Sequence, residues 1–536
     1  MIFELIIGVL CIIGYFYIRL KIKWNFWKDH NVPFPQPEFP FGSTPMFGWN
    51  SFKQEASMND LAKTQAMALG FPKFYGNYIF GAPNLMICDP EMAKQIMVKD
   101  FDHFVNRQAE DFIKLLEGGH FVDQVWANQM TALQGDKWKN TRATFTPIFT
   151  AGKLKGMIKF MHEVTNDLVK SVDQEAKTGK AFDLKEKFGK FSMDTIATCA
   201  FGVNAKSFED DKSTFAMNAR AVFRNSRWDV LRIIMALLPG GKEFLNFFGS
   251  PINKKHVTLF FYDIIRGTIE HRMKTKTRRN DLVDLMIDAM KADTPPEEDK
   301  DTEGQFDQDA KLNHKVVSKQ MDEITMVATA LVILVAGYDT TAQTMAITSY
   351  FLARNPDIQE KLYQEIMECV GEIKNEKGHP DYNQIQSLPY LDMVLHETLR
   401  INPALGIITR VCSKDYLIPG TDVLLKKGNE VHINAMAIHN NPNIYPDPEK
   451  YDPERFTKEA KANRHPYAFL GFGQGPRNCI GMRFALLEAK LGLFAVLWKY
   501  KFVATTETVE EFTLDPSSFL SAPKEALFVK VEERQQ

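Results

Sequence analysis

Residues 471–481 of the 536-residue chain read GFGQGPRNCIG, four glycines, a proline and an arginine set around one cysteine, Cys479. A loop of this kind could cradle a phosphate, supply a nucleophile or hold a metal. The fingerprint G-x-G-x-x-G needs glycine at 476, where the chain has Pro476, and no phosphate loop ending in G-K-S/T occurs. A cysteine nucleophile needs a base, and nothing in the sequence ties His432, His439 or His465 to Cys479. Zinc needs several nitrogen or sulfur ligands, and none is near. Iron in a haem takes a single protein ligand, which suits an isolated cysteine on a rigid loop. An apolar helical run follows Cys479. Helix N-termini favour anions and lower a thiol pKa, so a thiolate is expected. Gly473, Gly475 and Gly481 would let backbone approach a flat macrocycle. Arg477, two residues before the thiolate, can reach a propionate.

Such a loop needs long elements to hold it. Apolar spacing predicts helices within 152–200 and 216–238, then at 321–354, 357–370, 388–401 and 480–500. Asn355-Pro356 ends the third of these. NLMICD (84–89) reads as a strand, 402–456 as short strands and turns, and 511–532 as a β-hairpin. The segment 238–251, LPGGKEFLNFFGSP, breaks the helices but stays rich in Phe; it suits a membrane contact, a hydrophobic ligand or a packed turn. Residues 292–310 are acidic and nearly free of aliphatics, as in a solvated loop. The expected architecture is mainly α with small β-sheets. Apolar residues are 45% of the chain, enough for a large core. The net charge of −2 argues against a nucleic-acid partner. Six cysteines with no CxxC pair indicate free thiols in a reducing compartment.

The stretch FGQGPRNCIG resembles the haem-binding signature FxxGxRxCxG of the cytochrome P450 family, at Phe472, Gly475, Arg477, Cys479 and Gly481. Gly471 stands where relatives often have proline. AGYDTT (336–341) is similar to the family's distal-helix motif, Glu397-Thr-Leu-Arg400 to its ExxR pair, PERF (453–456) to the element supplying a third member, Arg455, and Trp138 with Arg142 to its WxxxR motif. The resemblance spans the chain and is strongest to the animal microsomal group that includes the mammalian subfamily three-A drug oxidases. It implies the P450 fold, with Cys479 as axial ligand of a haem b iron. Arg477, Phe472, Trp138, Arg142, Arg107 and Arg410 would hold the cofactor, and Gly337 would leave room for O2. It makes Thr340 and Asp339 a proton-delivering pair, though a back-bond to its own helix is the plain reading of Thr340. Glu397, Arg400 and Arg455 become a buried structural triad. Pocket positions carried over are Ala336, Ile407, Ile408 and Phe519, with Phe121–Trp126 and Phe244–Phe248 around them.

Three parts are expected: a membrane anchor at 1–23, a basic and proline-rich hinge at 24–42, and a catalytic domain at 43–536. Ile2 to Ile18 would span roughly 25 Å of a ~30 Å hydrocarbon layer, with Arg19 and Lys21 snorkelling. No basic region precedes the apolar stretch, which argues against a cleaved signal peptide. Positive charge follows it instead, at Arg19, Lys21, Lys23 and Lys28, which keeps the body on the cytosolic side. The resemblance places that body at the endoplasmic reticulum membrane. The expected activity inserts one atom of O2 into a hydrophobic organic molecule. No flavin or nicotinamide fingerprint occurs, so electrons would come from NADPH through a separate reductase. Lys137, Lys139, Arg464 and Arg483 could dock that partner or be ordinary solvated cations. Two rival readings are a haem-thiolate isomerase acting on a peroxide, and a non-catalytic haem-binding membrane protein.

Overall fold

A run with no polar face, such as 323–354, can be a stable helix only if other elements cover it all round. The computed structural model, which describes residues 2–45, 53–203, 205–209, 214–224, 226–238, 240–279, 281–291, 321–373 and 379–534, provides that cover. In chain order its main helices are α1 (Ile2–Lys23), α2 (Gly135–Phe145), α3 (Ala151–Thr178), α4 (Leu184–Ile196), α5 (Thr214–Phe223), α6 (Arg227–Leu237), α7 (Gly241–Phe247), α8 (Lys255–Thr275), α9 (Glu323–Arg354), α10 (Pro356–Glu372), α11 (Pro389–Ile401) and α12 (Met482–Lys499). α9 starts where the Asp322 carboxylate accepts from the Thr325 N–H at 2.7 Å, and it stops at Asn355 before Pro356. It packs on α4, α8, α11 and α12. Leu331, Leu334 and Ile347 on it are almost wholly buried, each contributing about 1.5–3 kcal/mol. By length and composition α9 could cross a membrane, but it is a core helix, mostly buried inside the protein.

Three helices meet closely at Gly492 of α12. A Cβ there would lie 2.8 Å from the Phe191 ring of α4 and 3.0 Å from the Met345 sulfur of α9. The sheets are small. β1 (Phe74–Ile79) and β2 (Ala82–Ile87) form an antiparallel hairpin. β2 runs parallel to β7 (Glu430–Asn434), and β7 antiparallel to β4 (Ile407–Val411), giving the order β1-β2-β7-β4. β3 (Phe182–Asp183), β9 (Phe528–Glu533) and β8 (Tyr500–Val503) make a second sheet, and β5 (Tyr416–Leu417) with β6 (Leu424–Leu425) a third. The mainly α architecture with small sheets is as expected.

Several local expectations change. The pattern over 152–200 splits at Gly179, which has φ +64° and lets the chain turn into β3 before α4. The run 216–238 splits into α5 and α6, with Ser226 capping the second. The Phe-rich segment after Leu238 forms the short helix α7. Within 511–532 only a short antiparallel turn forms, at the Leu514–Pro523 bridge with the Lys524 N–H donating to Thr513 O at 2.8 Å and the Asp515 N–H to Ala522 O at 2.7 Å, while β9 pairs with β8. The acidic stretch 292–310 lies outside the described residues. α1 leaves Phe3, Ile6, Leu10 and Ile18 exposed, while the chain after it docks by Trp24, whose Nε1–H donates to Phe80 O at 2.6 Å, and by the fully buried Trp27.

Candidate active site

Gly473 and Gly475 take φ of +67° and +72°, and a Cβ on Gly475 would lie 2.2 Å from the Met97 carbonyl oxygen. Glycine is therefore required for the loop to lie so close to its neighbour. The Cys479 N–H donates to Phe472 O at 2.8 Å and closes the turn. Gly481 is the N-cap of α12, and its N–H bonds the Cys479 sulfur. The sulfur faces a cavity of about 650 Å³. Phe472, Gly473 and Ile480 contribute to one wall, Ala336, Gly337 and Thr340 of α9 to another.

The thiol does not behave as its place before a helix suggests. Burial raises its pKa, outweighing the Gly481 N–H and the Arg142 and Arg107 charges. The helix N-terminus acts in the expected direction, through the Gly481 N–H, but desolvation of the sulfur outweighs it, so the protein groups alone do not give the expected net depression. A stable thiolate here needs a further cation at sulfur, which a bound metal supplies.

Around the same loop lie Arg107, Arg142, Arg410 and Arg477. Arg107 Nη2 donates to Arg477 O at 2.5 Å, and Arg142 donates to Asn478 O at 2.9 Å and Asn478 Oδ1 at 2.7 Å. Arg477 donates to Leu133 O at 2.7 Å and Thr131 O at 3.3 Å, and stacks 4.1 Å over the Trp138 ring. Among the described residues Arg410 donates only to Thr409 O, at 2.8 Å. Burial pushes Arg142 down to about 10 and Arg410 to about 9, and lowers Arg107 and Arg477 as well; the Arg107 charge further depresses the other three, and Arg410 and Arg142 further depress Arg477. Among the described residues no carboxylate answers them, and the Nε of Arg107, Arg410 and Arg477 is buried without an acceptor. Buried unpaired cations cost several kcal/mol each. A ligand with two carboxylates beside a metal at Cys479 would remove that cost. Haem has this pattern, so the residues fit the expected group. Phe472, Trp138, Arg107, Arg142 and Arg477 line the cavity, whereas Arg410 sits behind it.

On α9, Thr340 faces the cavity, and its Oγ1–H donates to Ala336 O at 2.7 Å, the back-bond to its own helix. Asp339 does not line the cavity; it is buried, with Oδ1 3.5 Å from Lys185 Nζ. Gly337 lines the cavity and also fits beneath Ile196, which a Cβ would approach to 3.1 Å. Ser192 of α4 donates to the Tyr338 carbonyl at 3.0 Å.

Glu397, Arg400 and Arg455 come together away from the cavity. Arg400 donates bidentately to Glu397 at 2.7 and 2.8 Å, and Arg455 Nε lies 3.5 Å from Glu397 Oε1. The Asp452 N–H adds a bond to Glu397 at 2.9 Å, and Arg400 reaches His439 O at 2.9 Å. This arrangement ties α11 to the PERF turn. Ala336, Ile407, Ile408 and Phe519 all line the cavity, as does Trp126. Phe121 instead packs on Tyr262, and Phe244, Phe247 and Phe248 point outward with Phe247 84% exposed, so those positions are corrected to surface. Lys137 lies 3.6 Å from Asp322, Lys139 3.6 Å from Asp136, and Arg464 stacks on Tyr445 and Phe456; these three are engaged within the protein. Sequence reasoning missed Asn478, although it stands in the quoted loop, and missed Lys185 and the Thr131 and Leu133 carbonyls, which nothing in the primary structure marks.

Comparison with known proteins follows the same lines. The family model described as Cytochrome P450 matches residues 37–529. "Probable cytochrome P450 6a14" of Drosophila melanogaster is 32% identical over 98% of both chains. "Cytochrome P450 6k1" of Blattella germanica is 33% identical over 90% of this chain and 88% of its own length. "Cytochrome P450 3A16" of Mus musculus is 35% identical over 87% of this chain and 85% of its own.

Proposed function

Because the chain belongs to the cytochrome P450 family and is thus a haem monooxygenase, we propose that it oxidises a hydrophobic organic molecule with electrons from NADPH, delivered by a separate membrane-bound reductase. The observation that carries this reading is the convergence on one cavity beneath Thr340 of the Cys479 sulfur and the Arg107, Arg142 and Arg477 guanidinium groups, which no carboxylate answers among the described residues, with Arg410 behind them. Cys479 would ligate the iron of haem b, and Arg107, Arg142, Arg410 and Arg477 with Trp138 would hold its propionates. When bound, a haem with a thiolate ligand supplies activation of O2 and cleavage of its O–O bond.

The chain's own groups position, exclude and transfer. Ala336, Ile407, Ile408 and Phe519 keep water from an apolar substrate and hold it against α9. Thr340 Oγ1 spends its proton on Ala336 O, which leaves its lone pairs to accept a hydrogen bond from water in the cavity. Asp339, buried beside Lys185 and next to Thr340 on α9, would serve as a relay group for protons moving toward that water. Proton delivery is what a monooxygenase needs and a peroxide isomerase does not, so the presence of the Asp339-Thr340 pair on the cavity helix favours the former.

The setting is a membrane. α1 has 22 residues, about 33 Å of helix, and its exposed apolar side chains suit a single span at the endoplasmic reticulum. Phe247, Phe248 and Trp228, 84%, 64% and 74% exposed, suit a second lipid contact. The test is the reduced carbonyl difference spectrum of the purified full chain. The wild type gives the red-shifted Soret band of a thiolate ligand, and Cys479→Ala loses it; an unchanged band in the variant overturns the ligand assignment.

A further inference from the structure

The wall of the cavity contributed by α6 and the start of α8 holds charges that nothing above uses. Asp229 and Lys254 both line it, among Phe112, Leu116, Val222, Phe223, Ile233 and Ile252. The Lys254 ammonium is fixed in place. It donates to the carbonyls of Ala221, at 2.5 Å, and Arg224, and so ties down the end of α5. Its third proton has no acceptor within hydrogen-bonding distance among the described residues, since Asp229 Oδ2 stands at 3.9 Å.

The neighbouring carboxylates are committed elsewhere. Asp229 accepts from the Ser226 N–H and Oγ–H at 2.7 Å each and pairs with Arg232. Asp123 accepts from the N–H of Ile252 at 3.0 Å and from the backbone and side-chain N–H groups of Asn253 at 2.9 Å. Arg232 Nε is itself buried without an acceptor. Lys254 and Arg232 therefore share Asp229, and of these two cations Lys254 is the one that lines the apolar cavity. Burial lowers the Lys254 pKa, as expected of a cation with too little counter-charge.

We propose that Lys254 anchors the carboxylate of the substrate, so that the cavity takes an amphipathic acid with a long apolar chain, of the fatty-acid class, and lays its hydrocarbon along α9. This rests on the cavity being the substrate chamber of the proposed monooxygenase. The two carbonyl bonds hold the ammonium before a ligand arrives, so little side-chain entropy is lost on binding.

Calorimetric titration of the haem-loaded full chain with dodecanoate and with methyl dodecanoate tests it. The wild type should bind the acid at least tenfold more tightly than the ester, the scale of one charge-assisted hydrogen bond. Lys254→Met should reduce that ratio below about threefold, and Lys254→Arg should keep most of it. Asp229→Asn, which removes the competing charge, should widen it. The ratio within each variant cancels general loss of fold; should Lys254→Met fail to fold, the wild-type and Asp229→Asn ratios still decide. Equal affinities in the wild type, or a preference that survives Lys254→Met or shrinks in Asp229→Asn, overturns the proposal. The carbonyl spectrum of the same preparations reports separately on Cys479, so an acid preference without the red-shifted band would sink the monooxygenase reading alone.

Discussion

At the scale of single residues, Thr340, to which we give a proton-transfer role, carries little of the structure. Its only hydrogen bond as donor is to Ala336 O within its own helix, an interaction that stabilises a helix little. Thr340→Ala should leave the carbonyl spectrum intact and the melting temperature nearly unchanged. It should divert electrons from product into hydrogen peroxide, measured as peroxide formed per NADPH consumed. Full coupling in the variant would remove the proton-transfer role. His439 is the opposite case, a residue for the fold. Its Nε2 accepts from the Leu470 N–H at 2.8 Å, and its Nδ1 bonds Arg400 O at 3.0 Å. Burial, with the Arg400 charge, pushes its pKa from 6.5 to about 3. The folded state therefore holds His439 neutral where the unfolded chain would protonate it. Stability is full above pH 6.5 and falls towards pH 3, by about 1.4 kcal/mol per pH unit for one titrating group. Urea unfolding at pH 5.5 and 4.5 should show that loss, and His439→Asn should flatten it.

At the scale of elements, Gly492 decides how closely α12 approaches α4 and α9. A valine there would press on Phe191 and Met345, and overpacking of this kind costs about 1–3 kcal/mol. Gly492→Val should lower the melting temperature of the holoprotein by several degrees without changing the wavelength of its Soret band; a stable variant would mean the three helices can part freely. This junction also marks the limit of what was legible beforehand. The bounds of α9 could be read because Asp322 and Asn355-Pro356 are local signals. The split between α3 and α4 could not, because β3 exists only through pairing with β9, hundreds of residues away. The same holds for the terminal strands: β9 chose β8 as partner over the nearer segment. At the site, Cys479, Arg477 and the Trp138–Arg142 pair were legible as motifs. The Lys185–Asp339 pair and the grip of Asn478 on Arg142 arise from tertiary packing alone. The misplaced Phe244–Phe248 were apolar in composition, and composition does not say which way a short helix faces.

At the scale of the whole molecule, the attachment of α1 separates membrane binding from folding. Most of the helix buries little against the rest of the chain, whereas the residues after it are locked in. Trp27 is fully buried, its indole N–H donates to Asn77 O at 3.0 Å, and its backbone N–H meets the Tyr78 hydroxyl at 3.0 Å. Deleting residues 1–23 keeps both tryptophans and removes a largely exposed apolar rod, with the Leu20 and Tyr17 contacts at its end. The shortened protein should retain its Soret band and melt within a few degrees of the full chain. It should also wash off membranes far more readily. It should still bind neutral lipid vesicles weakly through the outward phenylalanines, because a few exposed aromatic side chains suffice for reversible contact but not for stable anchoring. Phe247→Ser with Phe248→Ser in the shortened chain should then abolish the residual binding, read by vesicle sedimentation at high salt. If the deletion alone destroys folding, α1 is part of the core rather than an anchor. If the double serine variant sediments as before, the lipid contact lies elsewhere on the surface.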